Sequence, residues 1–448
     1  MNDLLSIGAS GVAAYRTALT AIGDNVANSE TPGYARRDVR LRELSNEGSR
    51  SVVFQEENMF SGVHVAEVGR AWDAFRAADA RLASSAAERA GARTQWLTSI
   101  ETVLDDGPAG VGQLISGFFA SATTLSAAPK DLAQRSAMLA KLEQFTGAVR
   151  SAADGLDRIS RSIGEMAELE AAAVNADLAT LAKVNTAILQ SADGRSSRAS
   201  LEDQRDRLVD SISKRVDVTL SLDSHGRAIL TMARATGVTL LDPTQHAIVK
   251  VTHALDGRLS LELEAGGTRV PLPAIGGSLS GLAEVAATTA DRRSQLETIV
   301  SSFATDLNNW SQAGVDYNGA PGAPLLDLAG GAISLRLLTS DPASIAAGSP
   351  GSDNGNLLAL DTLRGAGGIE NRWGGLIAAQ AHALAAARSE ASLTQTRRDN
   401  AYAALDEITG IDLDREAAEL MRYQQAYNGS TKVIQVARET MQSILELF

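Results

Sequence analysis

Apolar residues near the start of the chain recur at alternating intervals of three and four positions. The positions between them are mostly polar or small, so the apolar side chains share one narrow face of a helix. This is the a/d spacing of helices that bury a seam against another helix. The sequence therefore predicts an amphipathic N-terminal helix, and its seam is Leu5, Gly8, Val12, Tyr15, Leu19, Ile22 and Val26.

The end of the chain repeats this spacing. Helix nucleation is costly and the apolar face of a lone amphipathic helix stays in water, so such a helix is marginal by itself. We expect the two ends to pack against each other or against other subunits; the alternative is an ordinary pair of terminal helices docked on a core. The C-terminal seam is Leu420, Tyr423, Tyr427, Ser430, Ile434, Ala437, Met441, Ile444 and Phe448.

Long helices are predicted between the ends. The ten prolines leave three long proline-free stretches, which are residues 33–107, 130–242 and 351–448. These stretches are rich in Ala, Leu, Glu, Arg and Gln, which favour helices. Helices are predicted over 70–104 and 373–408, and the apolar spacing from Leu142 to Ile188 predicts one long coiled-coil-like helix or two in tandem. Long antiparallel helices of this kind pack as an elongated bundle.

Alternation with period two replaces the helical spacing in the middle of the chain. From Val216 to Leu222, and again from Leu259 to Glu264, apolar residues alternate with polar ones. Glycine-containing pairs beside the second run are typical of hairpin turns. The pattern predicts a small antiparallel β domain over residues 215–275 and a shorter β element over residues 35–69.

The predicted fold is mainly α with a β insert, in an elongated multi-domain chain. Its long-helix bundle is built from both chain ends, and a small antiparallel β domain is added to it. Residues 1–34 with 409–448 are expected to form a terminal helical, coiled-coil domain. Residues 35–213 with 276–408 are expected to form the helical bundle with short β elements, and residues 214–275 the inserted β domain.

Composition and charge narrow the classes of function. The net charge of −13 disfavours binding to a nucleic-acid backbone, and the absence of cysteine excludes disulfides and thiolate metal sites. The chain has no apolar run long enough for a transmembrane helix, and its start lacks the basic and apolar regions of a signal peptide. We expect no nucleic-acid partner, no membrane contact and no cleavable leader.

Signals for catalysis are weak. The five histidines have none of the spacings of a zinc site, and the glycine-rich segments lack the lysine of a phosphate-binding loop. The charged segment Asp203–Asp210 is interpreted as a solvated helix face or as i,i+4 ion pairs. The chain is predicted not to be an enzyme and to have no catalytic, cofactor-binding or metal site. An adhesin or a peptidoglycan-active accessory enzyme stays open as another class.

A loop of characteristic composition follows the N-terminal seam. Pro32 presets φ and Gly33 permits a positive φ, so a tight turn is predicted there. Asn25 and Asn28 are suited to hydrogen bonds with the backbone where a helix ends. The loop resembles the signature N-x-x-N-x-x-T-P-G-Y of the bacterial flagellar rod, hook and hook-associated proteins. The matching residues are Asn25, Asn28, Thr31, Pro32, Gly33 and Tyr34.

The other end of the chain points to one branch of that family. Tyr423–Tyr427, followed by Lys432-Val433-Ile434, resembles the hook-associated proteins of the first hook–filament junction. Asp203–Asp210, Leu307–Trp310 and Gly314–Gly319 resemble interior segments of the same branch. The resemblance therefore covers effectively the whole chain.

This resemblance implies a structural component of the bacterial flagellum, which forms the junction between hook and filament by polymerising through its terminal helices. The implied partners are the hook protein, the second hook–filament junction protein, further copies in a ring, and an export chaperone before secretion. The implied location is extracellular, in the flagellum, reached through the flagellar type III export channel. The alternatives are a flagellar hook or rod structural protein and a non-flagellar coiled-coil scaffold.

The terminal seams are the expected contact sites. The subunit-packing residues of the N-terminal helix are Leu5, Val12, Tyr15, Leu19, Ile22 and Val26. The subunit-packing or chaperone-binding residues of the C-terminal helix are Leu420, Tyr423, Tyr427, Ile434, Met441, Ile444 and Phe448.

Overall fold

Helices form most of the chain. The computed structural model describes residues 2–43, 62–192, 194–233, 237–272 and 276–446. In these residues the helices are α1 (Asn2–Ala27), α2 (Ala74–Val103), α3 (Val111–Ala127), α4 (Leu132–Gln190), α5 (Ser196–Arg215), α6 (Gly277–Ala313), α7 (Gly355–Ala359), α8 (Ile369–Thr409) and α9 (Leu413–Leu445). The strands are β1 (Arg37–Glu43), β2 (Val63–Arg70), β3 (Val218–Leu222), β4 (Ala228–Met232), β5 (Thr239–Leu241), β6 (Ile248–His253), β7 (Leu259–Ala265), β8 (Thr268–Leu272), β9 (Leu326–Asp327) and β10 (Arg336–Leu337). The predicted class, mainly α with a β insert, is confirmed.

The long helices α2, α4 and α8 lie within the proline-free stretches, where no proline interrupts the backbone hydrogen bonds. Both α2 and α8 confirm the helices predicted over 70–104 and 373–408. The apolar spacing after Leu142 forms one continuous helix, α4, of 59 residues. The seam residues that are completely buried, each 0 % exposed, are Leu142, Phe145, Val149, Leu156, Ile163, Val174, Leu178, Leu181 and Ile188.

The strands form small antiparallel sheets, as the period-two alternation predicted. β1 pairs with β2, where Val39 lies opposite Val68 and Leu41 opposite Val65. One three-stranded sheet has the order β3-β4-β5 and another the order β6-β7-β8, while β9 and β10 form a two-stranded pair. β7 and β8 are joined by a tight hairpin with Ala265 opposite Thr268.

The chain divides into two compact units, each assembled from separate segments. Unit 1 comprises Met1–Ser84, Val174–Ile248 and Gln395–Phe448. Unit 2 comprises Ser85–Ala173 and Val249–Thr394. Each of α2, α4 and α8 contributes residues to both units. The three-domain division drawn from the sequence has different boundaries from these two units, and it remains a prediction.

Unit 2 has an aromatic core and a helix-linking ion-pair cluster. The rings of Phe118, Phe119 and Phe145 surround Phe303 with centroids 5.3–6.4 Å from it, in edge-on arrangements. On α2, Arg89 and Arg93 bind two carboxylates that come from α6 and α8. The pairs are Arg89 Nε–Glu284 Oε1 at 2.6 Å, Arg93 Nε–Glu284 Oε2 at 3.0 Å, and Arg89 Nη1–Glu390 Oε1 at 3.0 Å. One arginine pair thus connects three helices of this unit.

Unit 1 contains both chain ends. Its elements include α1, the β1–β2 hairpin, α5, the sheet β3-β4-β5 and α9. The residues that the sequence singles out as contact sites all fall in this unit.

Candidate assembly site

The two terminal helices pack against each other as an antiparallel pair. Gly8, near the start of α1, lies beside Ile434 of α9, and a Cβ on Gly8 would stand only 2.6 Å from Ile434 Cγ1. Further along, the Tyr15 and Tyr423 rings have centroids 6.2 Å apart. Small residues at this contact, including Gly11 opposite Ser430, let the two backbones approach closely. The two predicted seams therefore meet inside one chain.

The pairing covers the N-terminal seam only in part. Ile22 is 4 % exposed, whereas Val26 is 43 % exposed at the end of α1. The intermediate positions keep part of their surface in solvent, and they are Leu5, Val12, Tyr15 and Leu19. Apart from Ile22, the buried apolar residues of α1 are small ones, namely Ala14, Ala18 and Ala21.

The C-terminal seam is covered even less completely. Ala437 is the buried apolar residue of α9. The larger seam residues are half-buried, and they are Leu420, Tyr423, Tyr427, Ile434, Met441 and Ile444. Phe448 lies outside the described residues. The large apolar side chains of the pair thus retain surface that a further helix layer could cover.

The loop after α1 is tied to both β1 and α9 by one buried amide. Asn25 Nδ2 donates to Arg37 O at 3.0 Å and to Glu416 Oε2 at 3.0 Å. Asn25 Oδ1 accepts from Arg37 N at 2.8 Å and from the Tyr34 hydroxyl at 3.1 Å. Because both amide hydrogens and both oxygen lone pairs are used, only an asparagine fits this position with all bonds made. The expected hydrogen-bonding role of Asn25 is observed.

The remaining signature residues surround this amide. Burial raises the pKa of the Tyr34 hydroxyl although the Arg37 guanidinium, 4.9 Å from the ring centre, opposes that shift. Gly33 has φ = 72°, which confirms the predicted turn and favours glycine there. Asn28 Nδ2 donates to Asp24 O at 2.9 Å. Thr31 and Pro32 are exposed at the tip of the turn.

We expect Asn25→Ala to loosen the junction between α1, β1 and α9. The substitution removes the partners of two backbone groups and of the buried Glu416 carboxylate, so the free energy of unfolding should fall by about 1–3 kcal/mol. Urea unfolding of the full chain measures this change. Asn28→Ala is the matched control, since its hydrogen bonds are in partly exposed positions, and it should change stability by less than about 0.5 kcal/mol. Equal effects of the two variants would contradict the role given to Asn25.

A row of three carboxylates lies next to this junction; two of them are buried and the third, Asp210, is 30 % exposed. The aspartate row, Asp203, Asp206 and Asp210, occupies one face of α5 at intervals of three and four. Arg70 of β2 binds two of its members, with Nε 2.7 Å from Asp203 Oδ1 and Nη2 2.8 Å from Asp206 Oδ2. Arg37 Nη2 lies 2.5 Å from Asp203 Oδ2, and Arg81 Nε lies 2.6 Å from Asp210 Oδ1.

The interpretation of Asp203–Asp210 as a solvated face is therefore wrong for Asp203 and Asp206. Asp203, Arg205 and Asp206 are at most 3 % exposed. The carboxylates are buried because β1, β2 and α2 each bring an arginine onto the same face of α5, and the opposite charges compensate the lost hydration. The predicted i,i+4 pair type does occur at the start of the helix, where Arg198 Nε lies 3.3 Å from Glu202 Oε1.

The pKa values of two members of the aspartate row, Asp203 and Asp206, are shifted in opposite directions. Burial raises the pKa of Asp203 above its ordinary value, although Arg70 and Arg37 oppose the rise. Burial also acts to raise the pKa of Asp206, but Arg205, Arg70 and Arg81 outweigh it and hold that pKa below its ordinary value. The arginines thus favour ionised Asp206 in the folded chain more than ionised Asp203.

The two shifts predict opposite effects of acid on stability. The depressed pKa of Asp206 gives a stabilising contribution that is present above its unfolded pKa of about 3.9 and is lost as pH falls through the folded pKa. The raised pKa of Asp203 gives a contribution that is present below the unfolded pKa and is lost as pH rises through the folded pKa. Asp206→Asn should therefore weaken the loss of stability in acid, and Asp203→Asn should steepen it.

Urea unfolding between about pH 3 and pH 6 measures these slopes. Each variant is compared with the parent chain by its change of stability with pH rather than by its stability at one pH. Slopes that are the same for both variants and the parent would show that the aspartate row does not titrate as described.

The described residues offer no other chemistry at this site. They contain no group of three or more His, Asp or Glu side chains placed to hold a metal ion. In the part of the chain that the structure describes, no helix is both long enough and apolar enough to cross a bilayer. What the site does provide is packing surface on two helices, held in place by a buried polar junction.

Family comparisons agree with this arrangement. The family described as "Flagellar hook-associated protein FlgK helical domain" matches residues 97–326, slightly more than half of the 448 residues. The family described as "Flagellar basal body rod FlgEFG protein C-terminal" matches residues 404–447, which include all of α9. The two matches thus cover α3 to α6 and one of the two terminal helices.

Individual relatives carry the same description. "Flagellar hook-associated protein 1" of Bacillus subtilis is 24 % identical over 97 % of this chain and 96 % of its own length. The protein of the same name from Escherichia coli K12 is 25 % identical over 81 % of this chain and 66 % of its own length. The Salmonella typhimurium protein of that name is 26 % identical over 72 % of this chain, which spans 59 % of that relative.

A solved structure supports the fold. The flagellar hook junction protein FlgK from Burkholderia pseudomallei matches with a TM-score of 0.65 and 13 % identity, over 73 % of this chain and 99 % of that one. Fold, terminal helix pair and relatives define the class, a structural protein of the bacterial flagellum. Within that class, the chain belongs to the flagellar hook-associated protein FlgK family. The predicted family is confirmed, and the relatives support the predicted structural role at the hook–filament junction.

Proposed function

We propose that this chain is the structural subunit that joins hook to filament, and that it assembles through the α1–α9 pair. One observation carries the proposal. The two seams pack together, yet their large apolar residues, from Leu5 to Leu19 and from Leu420 to Ile444, keep part of their surface in solvent. A fully buried large apolar side chain contributes about 1.5–3 kcal/mol, so covering this surface with neighbouring helix pairs would stabilise an assembly.

The symmetry of such an assembly follows from the contact type. A contact between different faces of identical subunits closes into a ring or continues as a helix. A ring at the junction presents one side to the hook protein and the other to the second hook–filament junction protein. We propose these two proteins and further copies of this chain as its partners, and we assign the chain no catalytic role.

An export chaperone is proposed to cover the C-terminal seam before assembly. The candidate contacts are Tyr423, Tyr427, Ile434 and Met441, in the manner of an amphipathic helix in a groove. In the folded chain α1 occupies this face of α9, so a chaperone on the seam has to bind before α1 and α9 pair. The chain would then leave the cell through the flagellar export channel and act outside it, as part of the flagellum.

Deletion of the gene tests this function. Without the junction subunit, cells should build hooks that carry no filament, and electron microscopy of isolated flagella should show bare hook ends. Expression of the wild-type chain should restore filaments and swimming. Hooks that still carry filaments would contradict the junction role. Absence of the hooks themselves would instead favour the second candidate, a hook or rod protein. The match of residues 404–447 to a family of basal body rod proteins is the observation that supports this candidate.

A further inference from the structure

A basic groove lies on the side of α1 that faces away from α9. It encloses about 840 Å³ between α1, β2 and the start of α5. Ala13, Thr17, Thr20 and Asp24 line it from α1, and their spacing places them on one face of that helix. Gly8, Gly11 and Tyr15, which contact α9, lie on the opposite face, since each residue turns the helix by about 100°. α1 is therefore packed on one side and borders an open groove on the other.

Two exposed arginines give this groove its positive charge, and a third, buried arginine lines it. Arg16, Arg37 and Arg195 line it, and Asp24 is the one carboxylate among the lining residues. Arg16 and Arg195 are exposed, and neither forms an ion pair with any of the described residues. Arg37 is 6 % exposed, and its Nη1 is buried without a hydrogen-bond partner among the residues that the structure covers. Arg37 is ion-paired through Nη2 with Asp203, so the unpaired positive charge of the groove comes from Arg16 and Arg195, in a chain of net charge −13.

The start of α5 adds further donors to the basic groove. Ser196 and Ser197 line it at the first turn of the helix, and Arg195 at the N-cap makes no side-chain capping bond. The first turn contains no acidic residue, so the positive end of the helix dipole is not compensated within its own sequence. Hydroxyls, free helix N–H groups and guanidinium groups all favour a carboxylate ligand.

Unit 1 also presents the complementary charge. An acidic corner lies between α8 and α9, where four carboxylates are exposed within nine residues. Asp406 and Asp414 form no ion pair with the described residues, whereas Glu407 pairs with Arg76 at 3.1 Å and Asp412 caps α9. The acidic corner consists of Asp406, Glu407, Asp412 and Asp414.

We propose that the acidic corner of one copy docks into the basic groove of the next copy. The two surfaces have opposite charge, carry unpaired groups, and belong to the same unit. A contact between two different surfaces of one chain is heterologous, so it repeats from copy to copy instead of ending at a dimer. Its role is to set the direction and register of neighbouring subunits, while the half-buried seams supply packing. This inference rests on the proposed assembly of the chain at the hook.

Charge exchange tests the contact. In cells that lack the gene, Arg16→Glu with Arg195→Glu should lower the number of hook ends carrying the chain by at least about tenfold, since like charges then face each other. Asp406→Lys with Asp414→Lys should have the same effect. The chain with all four substitutions should recover, because the two surfaces are again complementary. Immunogold labelling of isolated hooks counts the occupied ends.

The controls separate the possible failures. Lys183→Glu, an exposed reversal on α4 in unit 1 that lies outside both surfaces and outside the terminal seams, should incorporate normally. Thermal unfolding should show that each purified variant folds as the parent does. If the wild-type chain does not reach hook ends, the proposed function fails. If the wild type does so but the groove variant incorporates equally well, or the fourfold variant does not recover, the docking of corner and groove is overturned.

Discussion

Ile434→Asp is expected to abolish incorporation of the chain at hook ends and to leave unit 2 folded. Ile434 lies against Gly8 at the closest approach of α1 and α9, where a Cβ on Gly8 would already be 2.6 Å from it. A carboxylate in that position has to be taken out of water beside an apolar helix face, or it has to push the helices apart. In both cases the paired seams that a neighbouring subunit would cover are lost.

Two measurements separate assembly from folding for this variant. Occupied hook ends are counted in cells that express only the variant, and hydrogen exchange reports on the helices of unit 2. Leu169→Asp is the matched control, because Leu169 is a 66 % exposed leucine on α4 in unit 2. The control should incorporate and support swimming. Normal incorporation of Ile434→Asp would contradict the proposed assembly role of the α1–α9 pair.

Arg70→Met is expected to cost about 3–5 kcal/mol of stability, the range measured when one partner of a buried ion pair is removed. Arg70 binds Asp203 and Asp206 at 2.7 and 2.8 Å, and its guanidinium also lies 4.6 Å from the centre of the Trp72 ring. Methionine fills similar space but leaves the two carboxylates with less compensating charge. The unfolding of unit 1 should therefore shift to a much lower urea concentration.

A second arginine on the same hairpin provides the control. Arg40 pairs with Glu67 at 3.5 Å across β1 and β2, but its side chain is 72 % exposed. Exposed pairs of this kind contribute about 0–1 kcal/mol, so Arg40→Met should unfold close to the parent chain. Urea unfolding followed by amide exchange in unit 1 compares the two variants. Similar losses for both would show that the aspartate row contributes no more than a surface pair.

The parts of the fold that sequence reasoning recovered are those set by local periodicity. The seams of α1 and α9, the 59-residue α4 and the β1–β2 hairpin follow from spacings of three and four or of two. The turn at Gly33 follows from residue type, since a positive φ favours glycine. In each case the information lies within a few neighbouring residues.

The features that sequence reasoning missed depend on residues far apart in the chain. Asp203, Asp206 and Asp210 share one face of α5. Their carboxylates can leave water because the arginines Arg37, Arg70 and Arg81 lie next to them in space. These arginines are more than a hundred residues away in sequence, so local patterns do not reveal the contacts. A partial signal was present, since acidic residues at intervals of three and four would repel one another on a solvated face. The basic groove was missed for the same reason, because Arg16 lies on α1 and Arg195 lies at the N-cap of α5, far away in the sequence.

Hydrogen–deuterium exchange of the chain, free and assembled on isolated hooks, tests the central claim most directly. The account predicts that amides of α1 and α9 gain protection on assembly, because neighbouring copies cover the half-buried seams. Amides within α4, whose seam is already buried in the single chain, should exchange equally in both states. Equal protection of α1 and α9 in the free and assembled chain would contradict the claim that this helix pair is the assembly surface.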